Sequence, residues 1–343
     1  MIPENMRNRE GDRRRPHAAG MMLRAAVLAV AAQVGLGMGI SGCGNYSNDD
    51  LEFLNALPAR ENVTVEVPVR SAVLLGGAAE GWRTAWAVSR TFNSAAEGLL
   101  TLVDRIRSSY PTSRNGETRV WGPFPSDRQP EWRVVFSMMK NKNVLEQNVL
   151  ETDRFEYVLE MIPPSGVTLA LGGDRTVVLS GRFNAAARAG DGIGHLELSP
   201  GEARQAGVIF EDLDRLQTLA LDYDYRGGPR VVDIVLTYDP PRDPAVDVSH
   251  ASYHYRQDEQ RANVMQFDLE KDVVPGPAGV DSIHIQSQWR ADGRGREDRA
   301  ITAGDGVGAM AQECWNETFQ STYQSSWLGG TTGDPTSCIA ASP

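Results

Sequence analysis

The residues most able to do chemistry in this sequence are three aspartates near a pair of glycines. Two stretches of alternating apolar and polar residues flank Gly227-Gly228, which is a typical β-hairpin tip. With the glycines at the tip, the apolar residues pair as Leu219 with Leu236, Leu221 with Ile234 and Tyr223 with Val232. The same register places Asp222 directly opposite Asp233 on the solvent face, with Asp224 diagonal to Asp233.

Carboxylates that face each other repel, so this group needs a cation, a shared proton or an arginine nearby. Arg226 and Arg230 are close enough in sequence to neutralise it. Three interpretations remain open: solvated surface charges, a calcium-like oxygen site made by Asp222, Asp224 and Asp233, and an acid-base pair made by Asp222 and Asp233. We expect surface charges, with no catalytic residue, bound metal or cofactor.

The histidines do not suggest a shared metal site. His250 and His254 lie about 13 Å apart on one predicted strand, and His284 lies two strands and about 9.6 Å from His254. Zinc binds its ligands at about 2.1 Å, so these side chains cannot share one ion. His195 stands alone beside Gly194. We expect structural or surface histidines.

The amino terminus has the layout of a secretory signal. Arginines in residues 1–24 precede an apolar run from Ala25 to Gly39, which is shorter than the roughly 20 apolar residues of a spanning helix. The run ends at Ile40-Ser41-Gly42-Cys43, an aliphatic residue and two small residues before a cysteine. This segment resembles the lipobox of bacterial lipoprotein precursors, and the resemblance covers only this amino-terminal part of the chain.

The resemblance implies that residues 1–42 are a cleaved signal peptide and that Cys43 carries a diacylglycerol and an acylated amino group. Several acyl chains make a durable membrane anchor, whereas one chain holds only marginally. Gly44 in place of an aspartate after the cysteine implies sorting to the outer membrane, facing the periplasm or the cell surface. The alternatives are an ordinary cleaved signal with an incidental cysteine and an uncleaved anchor.

Cysteine usage predicts one disulfide. The chain has three cysteines, and with Cys43 lipidated, Cys314 and Cys338 remain. In an oxidising compartment an even remainder favours a disulfide, which would stabilise the fold by about 3 kcal/mol for a loop of about 24 residues. Two free buried thiols are the alternative. The sequence has no Cys-x-x-Cys motif that would indicate redox or zinc-ribbon chemistry.

Other short motifs do not indicate a known chemistry. The glycine-rich segment 190–194 opens no helix after a strand with a ribose-binding acid, so we expect no nucleotide loop. Asp292-Gly293 resembles part of a calcium loop, but Arg290 and Arg294 stand at the neighbouring ligand positions, so we expect a turn. A Gly-x-Ser-x-Gly nucleophile motif does not occur.

After Gly116 the hydrophobic pattern has a period of two almost to the end of the chain. This predicts antiparallel strands with one buried face, joined by hairpin turns such as Gly172-Gly173-Asp174. We expect a mainly β (α+β) fold, with a curved or barrel-like antiparallel meander. The predicted strands are centred on residues 132–138, 155–161, 177–183, 219–225, 232–238, 251–255, 265–269 and 283–289.

Two helices are predicted beside the sheet. Apolar residues recur every three or four positions from Ser71 to Tyr110, which indicates one amphipathic helix or two helices broken near Asn93 or Gly98. This stripe would pack on the sheet or cover a hydrophobic cavity. Ser199-Pro200-Gly201-Glu202 has the features of a helix start and predicts a short helix to about residue 216.

Aromatic residues recur every four positions between the last two cysteines. The pattern predicts one helical face, or a disulfide-clamped loop that closes the end of the barrel, and either core packing or a partner-docking surface. The residues are Trp315, Phe319, Tyr323 and Trp327.

Charge and length define the expected domain organisation. The formal net charge is −11, and removal of residues 1–42, which hold six arginines and three acidic residues, would make it about −14. Such acidity argues against a nucleic-acid partner, whose phosphates would be repelled. We expect a cleaved signal at 1–42, a lipidated tether and extended arm at 43–69, flexible over 44–50, and one β-rich periplasmic domain at 70–343.

The sequence predicts a lipid-anchored cell-envelope lipoprotein with a non-catalytic β-rich binding domain. Its partners would be the membrane, through the lipid on Cys43, and a hydrophobic ligand or an envelope protein. In outline, a helix against a curved sheet is similar to the open barrels of periplasmic lipoprotein and lipid carriers, an analogy of shape alone.

Three functional hypotheses follow from this outline. A carrier of a hydrophobic ligand would have an apolar, under-filled concave face. A structural or interaction module of an envelope assembly would have a filled core and an exposed aromatic patch. A metal-dependent hydrolase centred on Asp222 and Asp233 is the third hypothesis.

Overall fold

The computed structural model describes most of the carboxyl-terminal three hundred residues of the chain. Cys43, residues 1–42 and the hairpin tip Gly227-Gly228 lie outside the described residues. Among the described helices, none is long and apolar enough to cross a bilayer. The described residues are 47–58, 63–69, 77–126, 129–146, 149–167, 169, 172–185, 192–209, 215–226, 229–239, 250–257, 262–271, 273–274, 276–277 and 279–341.

The described strands form one antiparallel sheet of 15 strands. Each strand pairs with the next one along the chain, so the sheet is an open meander with β1 and β15 at its edges. The predicted mainly β meander is therefore confirmed. The strands are β1 Ser113–Asn115, β2 Thr118–Pro125, β3 Arg133–Glu146, β4 Val149–Ile162, β5 Thr176–Ala185, β6 Gly192–Leu198, β7 Leu216–Asp224, β8 Arg230–Tyr238, β9 His250–Gln257, β10 Asn263–Lys271, β11 Asp281–Trp289, β12 Gly295–Ala303, β13 Met310–Trp315, β14 Ser321–Ser325 and β15 Thr331–Gly333.

Each of the eight predicted strands corresponds to a strand of the sheet, from β3 to β11. The hairpin of β7 and β8 has the predicted register, with Leu221 opposite Ile234 and Asp222 opposite Asp233. The Asp292-Gly293 segment is a turn, in which the Gly293 N–H donates to the Arg290 carbonyl at 2.9 Å. The sequence pattern did not identify β1, β2, β6 or the four strands after β11.

Among the described residues, three α-helices accompany the sheet, α1 Asn48–Asn55, α2 Glu80–Arg107 and α3 Pro200–Gln205, with a 3-10 turn at Pro335–Ser337. The long helix is confirmed as one unbroken α2. The prediction that α3 extends to about residue 216 is wrong. Gly207 follows the helix with a φ of +98°, which ends it, and the Ser199 side chain makes no capping hydrogen bond.

The first described helix corrects the predicted flexible tether. Ser47 and Asp50 form a reciprocal capping box, with both hydrogen bonds at 3.1 Å, and start α1 at Asn48. Phe53 packs edge to face against Phe155 of β4, with ring centroids 5.4 Å apart. Residues 48–50 therefore belong to the folded domain.

Residues 64–69, within the segment predicted as an extended arm, have no regular secondary structure and pair with no described strand. Asn93 of α2 donates to the Val65 carbonyl at 2.8 Å and accepts from the Val65 N–H at 2.7 Å. The Trp82 indole donates to Pro68 O and the Trp289 indole to Glu66 O. Side chains thus satisfy the backbone of the arm in place of a neighbouring strand.

The inward face of the sheet and α2 enclose the hydrophobic core. The core holds Trp121, Phe183, Leu196 and Phe267, each at most 1% exposed, in one contiguous cluster. Inward-facing glycines are covered by rings on the directly opposite residue. These pairs are Gly181 with Tyr157, Gly194 with Tyr223 and Gly295 with Trp315. A ring over a glycine fills the space of the missing side chain where the sheet bends.

The carboxyl-terminal segment is held by the predicted disulfide between Cys314 and Cys338. The helical interpretation of the aromatic spacing is wrong, because Trp315 and Tyr323 lie on strands β13 and β14. Trp315 and Phe319 are buried in the core, and Phe319 packs against Trp82 of α2 with ring centroids 4.8 Å apart. Trp327, in contrast, is only partly buried.

Candidate functional site

Directly paired polar residues cross the outer face of the sheet from β5 to β15 as one continuous line, which we call the polar row. No apolar residue interrupts it over these strands. Its members are Arg182, His195, Asp222, Asp233, His254, Gln266, Gln286, Asp298, Gln312, Ser325 and Thr331. The predicted aspartates are therefore part of a larger polar surface.

Each of the two facing aspartates is bound by a histidine from the next strand. His195 Nδ1 lies 2.7 Å from Asp222 Oδ1, and His254 Nδ1 lies 2.6 Å from Asp233 Oδ1. Of the two arginines close in sequence, Arg226 binds the diagonal Asp224 at 2.8 Å and not the facing pair. That contact also lowers the pKa of Asp224.

The paired side chains do not form a metal centre within the described residues. Asp222, Asp224 and Asp233 each contact a cationic or imidazole partner instead. His284 similarly binds Asp268 at 2.9 Å, and the side chain of His250 lies outside the described residues. The expectation that the histidines are surface groups agrees with these half-exposed pairs.

A histidine held by an aspartate can orient a base for catalysis, but a base also needs a group to activate. In the described part of the chain, the imidazoles of His195 and His254 pair only with acidic side chains, and neither hydrogen-bonds to a serine, threonine or cysteine. The arrangement therefore supports surface electrostatics better than nucleophilic catalysis.

The His254 pair predicts a pH effect on stability. The hydrogen bond to Asp233 raises the pKa of His254, although burial opposes this. The folded state then binds the proton more tightly than the unfolded state. The contribution of protonated His254 to the free energy of unfolding is complete below a pH of about 6.5. It is lost as the pH rises through the pKa of His254 in the folded state.

We expect the free energy of unfolding to fall by less than about 1 kcal/mol over this window, because both side chains are well exposed. Urea denaturation at about pH 5.5 and about pH 8.5 measures the change. The His254→Gln variant should lose this component of the pH dependence. An unchanged pH profile in that variant would contradict the assignment to His254.

A second polar group lies on the inward face, where the other strands carry apolar residues. Ser287, Glu297, Glu313 and Gln324 are directly paired across β11 to β14 and form, with Arg299, what we call the glutamate cluster. Glu297 is 0% exposed and accepts from Ser287 at 2.7 Å and from Arg299 Nε at 2.5 Å. Burial raises the pKa of Glu297, and the Arg299 charge opposes this rise.

The glutamate cluster holds the amino terminus of α2. The N-cap residue of the helix, Ala79, has no side chain that could cap it, and the Gly81 N–H donates instead to Glu313 Oε2 at 2.6 Å. A side chain at Gly81 would place its Cβ 2.9 Å from Glu297 Cβ and 3.0 Å from the Trp315 ring. Glycine thus lets the helix approach the sheet closely enough for Glu313 to act as its cap.

An open groove of about 510 Å³ lies beside this helix terminus. Its walls are the Glu80 and Glu313 carboxylates, the Arg299 guanidinium, and the turn between β14 and β15, which carries Trp327. The polar row reaches the same place through Gln312, Ser325 and Thr331. We call this feature the C-terminal groove, and it is the strongest candidate site in the described part of the chain.

Sequence reasoning missed the glutamate cluster and most of the C-terminal groove. The missed residues include Glu80, Glu297, Arg299 and Glu313. Alternation in β12 puts the charged residues Glu297 and Arg299 on the inward face. A strand pattern that expects apolar inward residues and polar outward residues therefore does not identify β12. Only Trp327 carried a signal, as one of the spaced aromatic residues. Comparison with protein-family models, with curated proteins and with solved structures gives no match to this chain.

Proposed function

We propose that this protein is a lipid-anchored lipoprotein of the bacterial cell envelope whose β-sheet domain is a non-catalytic interaction module. The signal-like amino terminus and Ile40-Ser41-Gly42-Cys43 support the anchor. Outer-membrane sorting follows from Gly44 by the same resemblance. The acyl chains on Cys43, and not surface charge, would hold this acidic chain at the membrane.

The proposal of an interaction module rests on one observation, that side chains fill the concave face of the sheet. Most of the described inward-facing side chains of β3 to β11 belong to one core, and rings of Tyr157 and Tyr223 occupy the space over Gly181 and Gly194. A carrier for a hydrophobic ligand needs an unfilled apolar space there. A packed concave face instead supports an interaction module that binds its partner at the protein surface. The C-terminal groove would be the place of contact.

The anchor and the groove would lie at opposite ends of α2. Ser47 is four positions after Cys43, so the chain between them reaches at most about 14 Å. Arg107, at the end of α2, donates to the Leu57 carbonyl just after α1 at 2.7 Å. The 28-residue helix is about 40 Å long and has the groove at its amino terminus. The groove would thus be presented at a distance from the membrane end of the domain.

Cell fractionation tests the anchor. Full-length protein in a Gram-negative host should sediment with membranes and resist a high-salt wash, and Cys43→Ser should move it to the soluble fraction. The matched control is the double variant Cys314→Ser/Cys338→Ser, which should stay in the membrane fraction. Salt extraction of the wild type, or membrane retention of Cys43→Ser, would contradict the proposed anchor.

Dye binding distinguishes the interaction-module hypothesis from the hypothesis of a hydrophobic-ligand carrier. The mature chain from residue 43 with Cys43→Ser should show no saturable binding of a hydrophobic fluorescent dye at one site, because the concave face is filled. Saturable binding that competes with a fatty acid would instead favour the hydrophobic-ligand carrier.

A further inference from the structure

The C-terminal groove has the chemistry of a saccharide site. We propose that it binds a neutral saccharide, and this inference rests on the proposed role of the domain as an envelope interaction module. The observations that carry it are the partly buried Trp327, the charges of both signs beside it, and a wall of amide and hydroxyl groups.

Trp327 supplies an aromatic surface in the groove. One part of its ring packs against the hydrophobic core, and the rest faces the groove. Its indole N–H makes no hydrogen bond within the described part of the chain, so it remains a donor for a ligand. The C–H face of a pyranose ring can stack on an indole face while the indole N–H binds a hydroxyl group.

The charges of the groove argue against a charged ligand. Glu80 and Glu313 stand beside Arg299, whose Nη1 lies 3.8 Å from Glu80 Oε2. An anion would meet two carboxylates and the field of an acidic chain. A cation would meet Arg299, and Glu313 already accepts hydrogen bonds from Gly81 and Gln324 at 2.6 Å. A neutral polar ligand avoids both the repulsion of an anion by the carboxylates and the repulsion of a cation by Arg299.

The remaining wall matches the hydrogen-bonding pattern of hydroxyl groups. Gln324, which lies on the same face as Glu313, donates its amide N–H to Glu313, which leaves its carbonyl oxygen as an acceptor. The hydroxyl of Thr332, directly opposite Gln324, has no hydrogen-bond partner among the described residues, and a hydroxyl both donates and accepts. Sugar hydroxyls have the same dual capacity, so several of them can be satisfied at once.

The geometry of the turn favours a saccharide over a peptide. Gly329 and Gly330 have φ values of +86° and +89° and no side chains to fill the groove. The neighbouring edge strand β15 has only three residues before Pro335, which is too short to pair well with an added peptide strand.

The test uses the soluble mature chain with Cys43→Ser and two neutral probes, chitotetraose and cellotetraose. Their β-1,4-linked rings present flat C–H faces to an aromatic surface. Isothermal titration calorimetry should show saturable binding of at least one probe, with a dissociation constant of at most about 1 mM. Trp327→Ala should weaken this binding at least tenfold. Leu328→Ala is the matched control, because Leu328 is 81% exposed and does not line the groove.

A second variant guards against a local folding defect in Trp327→Ala. Thr332→Val keeps the shape of the side chain, removes its hydroxyl and should weaken binding about three- to tenfold. Circular dichroism should be the same for all variants.

Absence of saturable binding by both probes, or equal affinity in wild type and Trp327→Ala, would overturn the saccharide assignment. Binding lost in Leu328→Ala but kept in Trp327→Ala would also overturn the assignment of the site to the C-terminal groove, because Leu328 does not line it. None of these results alters the membrane fractionation of full-length protein, so failure of the saccharide site and failure of the anchor are distinguishable.

Discussion

Gly194→Ala is expected to destabilise the domain by about 3 kcal/mol or more, enough to prevent folding in a marginally stable protein. A Cβ at this position would lie 2.5 Å from Tyr223 Cε1 and closer still to Cζ. The Tyr223 ring is buried between Phe183 and the core and cannot move aside without displacing its neighbours. Chemical denaturation of the soluble mature chain measures the loss.

The cause of this loss can be isolated with a double-mutant cycle. In a Tyr223→Leu background the ring is absent, so adding Gly194→Ala should cost little, and the two changes should be strongly non-additive. An alanine in a strand that meets no obstacle normally stabilises by a few tenths of a kcal/mol to about 1 kcal/mol. Additive losses in the cycle would contradict the role of the ring over the glycine.

Asp50→Asn is expected to destabilise the domain by about 3 to 5 kcal/mol, the usual loss when one partner of a buried ion pair is removed. Asp50 is 1% exposed and accepts from Arg119 Nε at 2.6 Å and from Arg114 Nε at 3.0 Å. Arg119 is itself 5% exposed, so the variant leaves a buried guanidinium without its carboxylate. The capping box at Ser47 is weakened by the same change.

The same carboxylate gives a pH dependence of known sign. Burial alone would raise the pKa of Asp50, but hydrogen bonds from Arg119, Ser47 and Arg114 outweigh it and lower the pKa to about 2. A lowered pKa contributes stability that is present above a pH of about 3.8 and is lost as the pH falls towards 2. Acid denaturation of the wild type, compared with Asp50→Asn, measures this contribution.

Asp49→Asn is the matched control for Asp50→Asn. Asp49 is the neighbouring residue, but its side chain is 79% exposed and lies 3.9 Å from Arg119 Nη2. We expect its replacement to change the free energy of unfolding by less than about 0.5 kcal/mol. Equal losses in the two variants would show that Arg119 does not depend on Asp50.

The hairpin of β7 and β8 was predictable because its signals agree with one another. Apolar alternation in both strands permits one register around a two-glycine tip, and a shift by one residue would expose Leu221 and Ile234. That register predicts the two facing aspartates. It does not predict the histidine partner of Asp222, because His195 lies on β6. The inward positions of β6 include Gly192 and Gly194 and so lack the apolar alternation of a strand.

The glutamate cluster could not be predicted from local pattern for a related reason. Glu297 and Glu313 occupy inward positions where alternation leads one to expect apolar residues. Their stability depends on Ser287, Arg299 and the amino terminus of α2, which is more than 200 residues away in sequence from Glu313. Only the tertiary structure brings these partners together.

The amino-terminal helix was missed although a signal for it was present. Ser47 and Asp50 have the spacing of a capping box, but the stretch is polar and was interpreted as a tether. Conversely, the capping signature at Ser199 predicted too long a helix, because Gly207 and the start of β7 at Leu216 limit α3. In both cases a local signal, the capping box or Gly207, marks the helix boundary that the structure has.

The most direct test of the lipid anchor is intact-mass spectrometry of the protein extracted from membranes. The account predicts a chain that begins at Cys43, with a mass above that of residues 43–343 by a diacylglycerol and an amide-linked acyl chain. A chain that retains residues 1–42, or one with an unmodified Cys43, would contradict it.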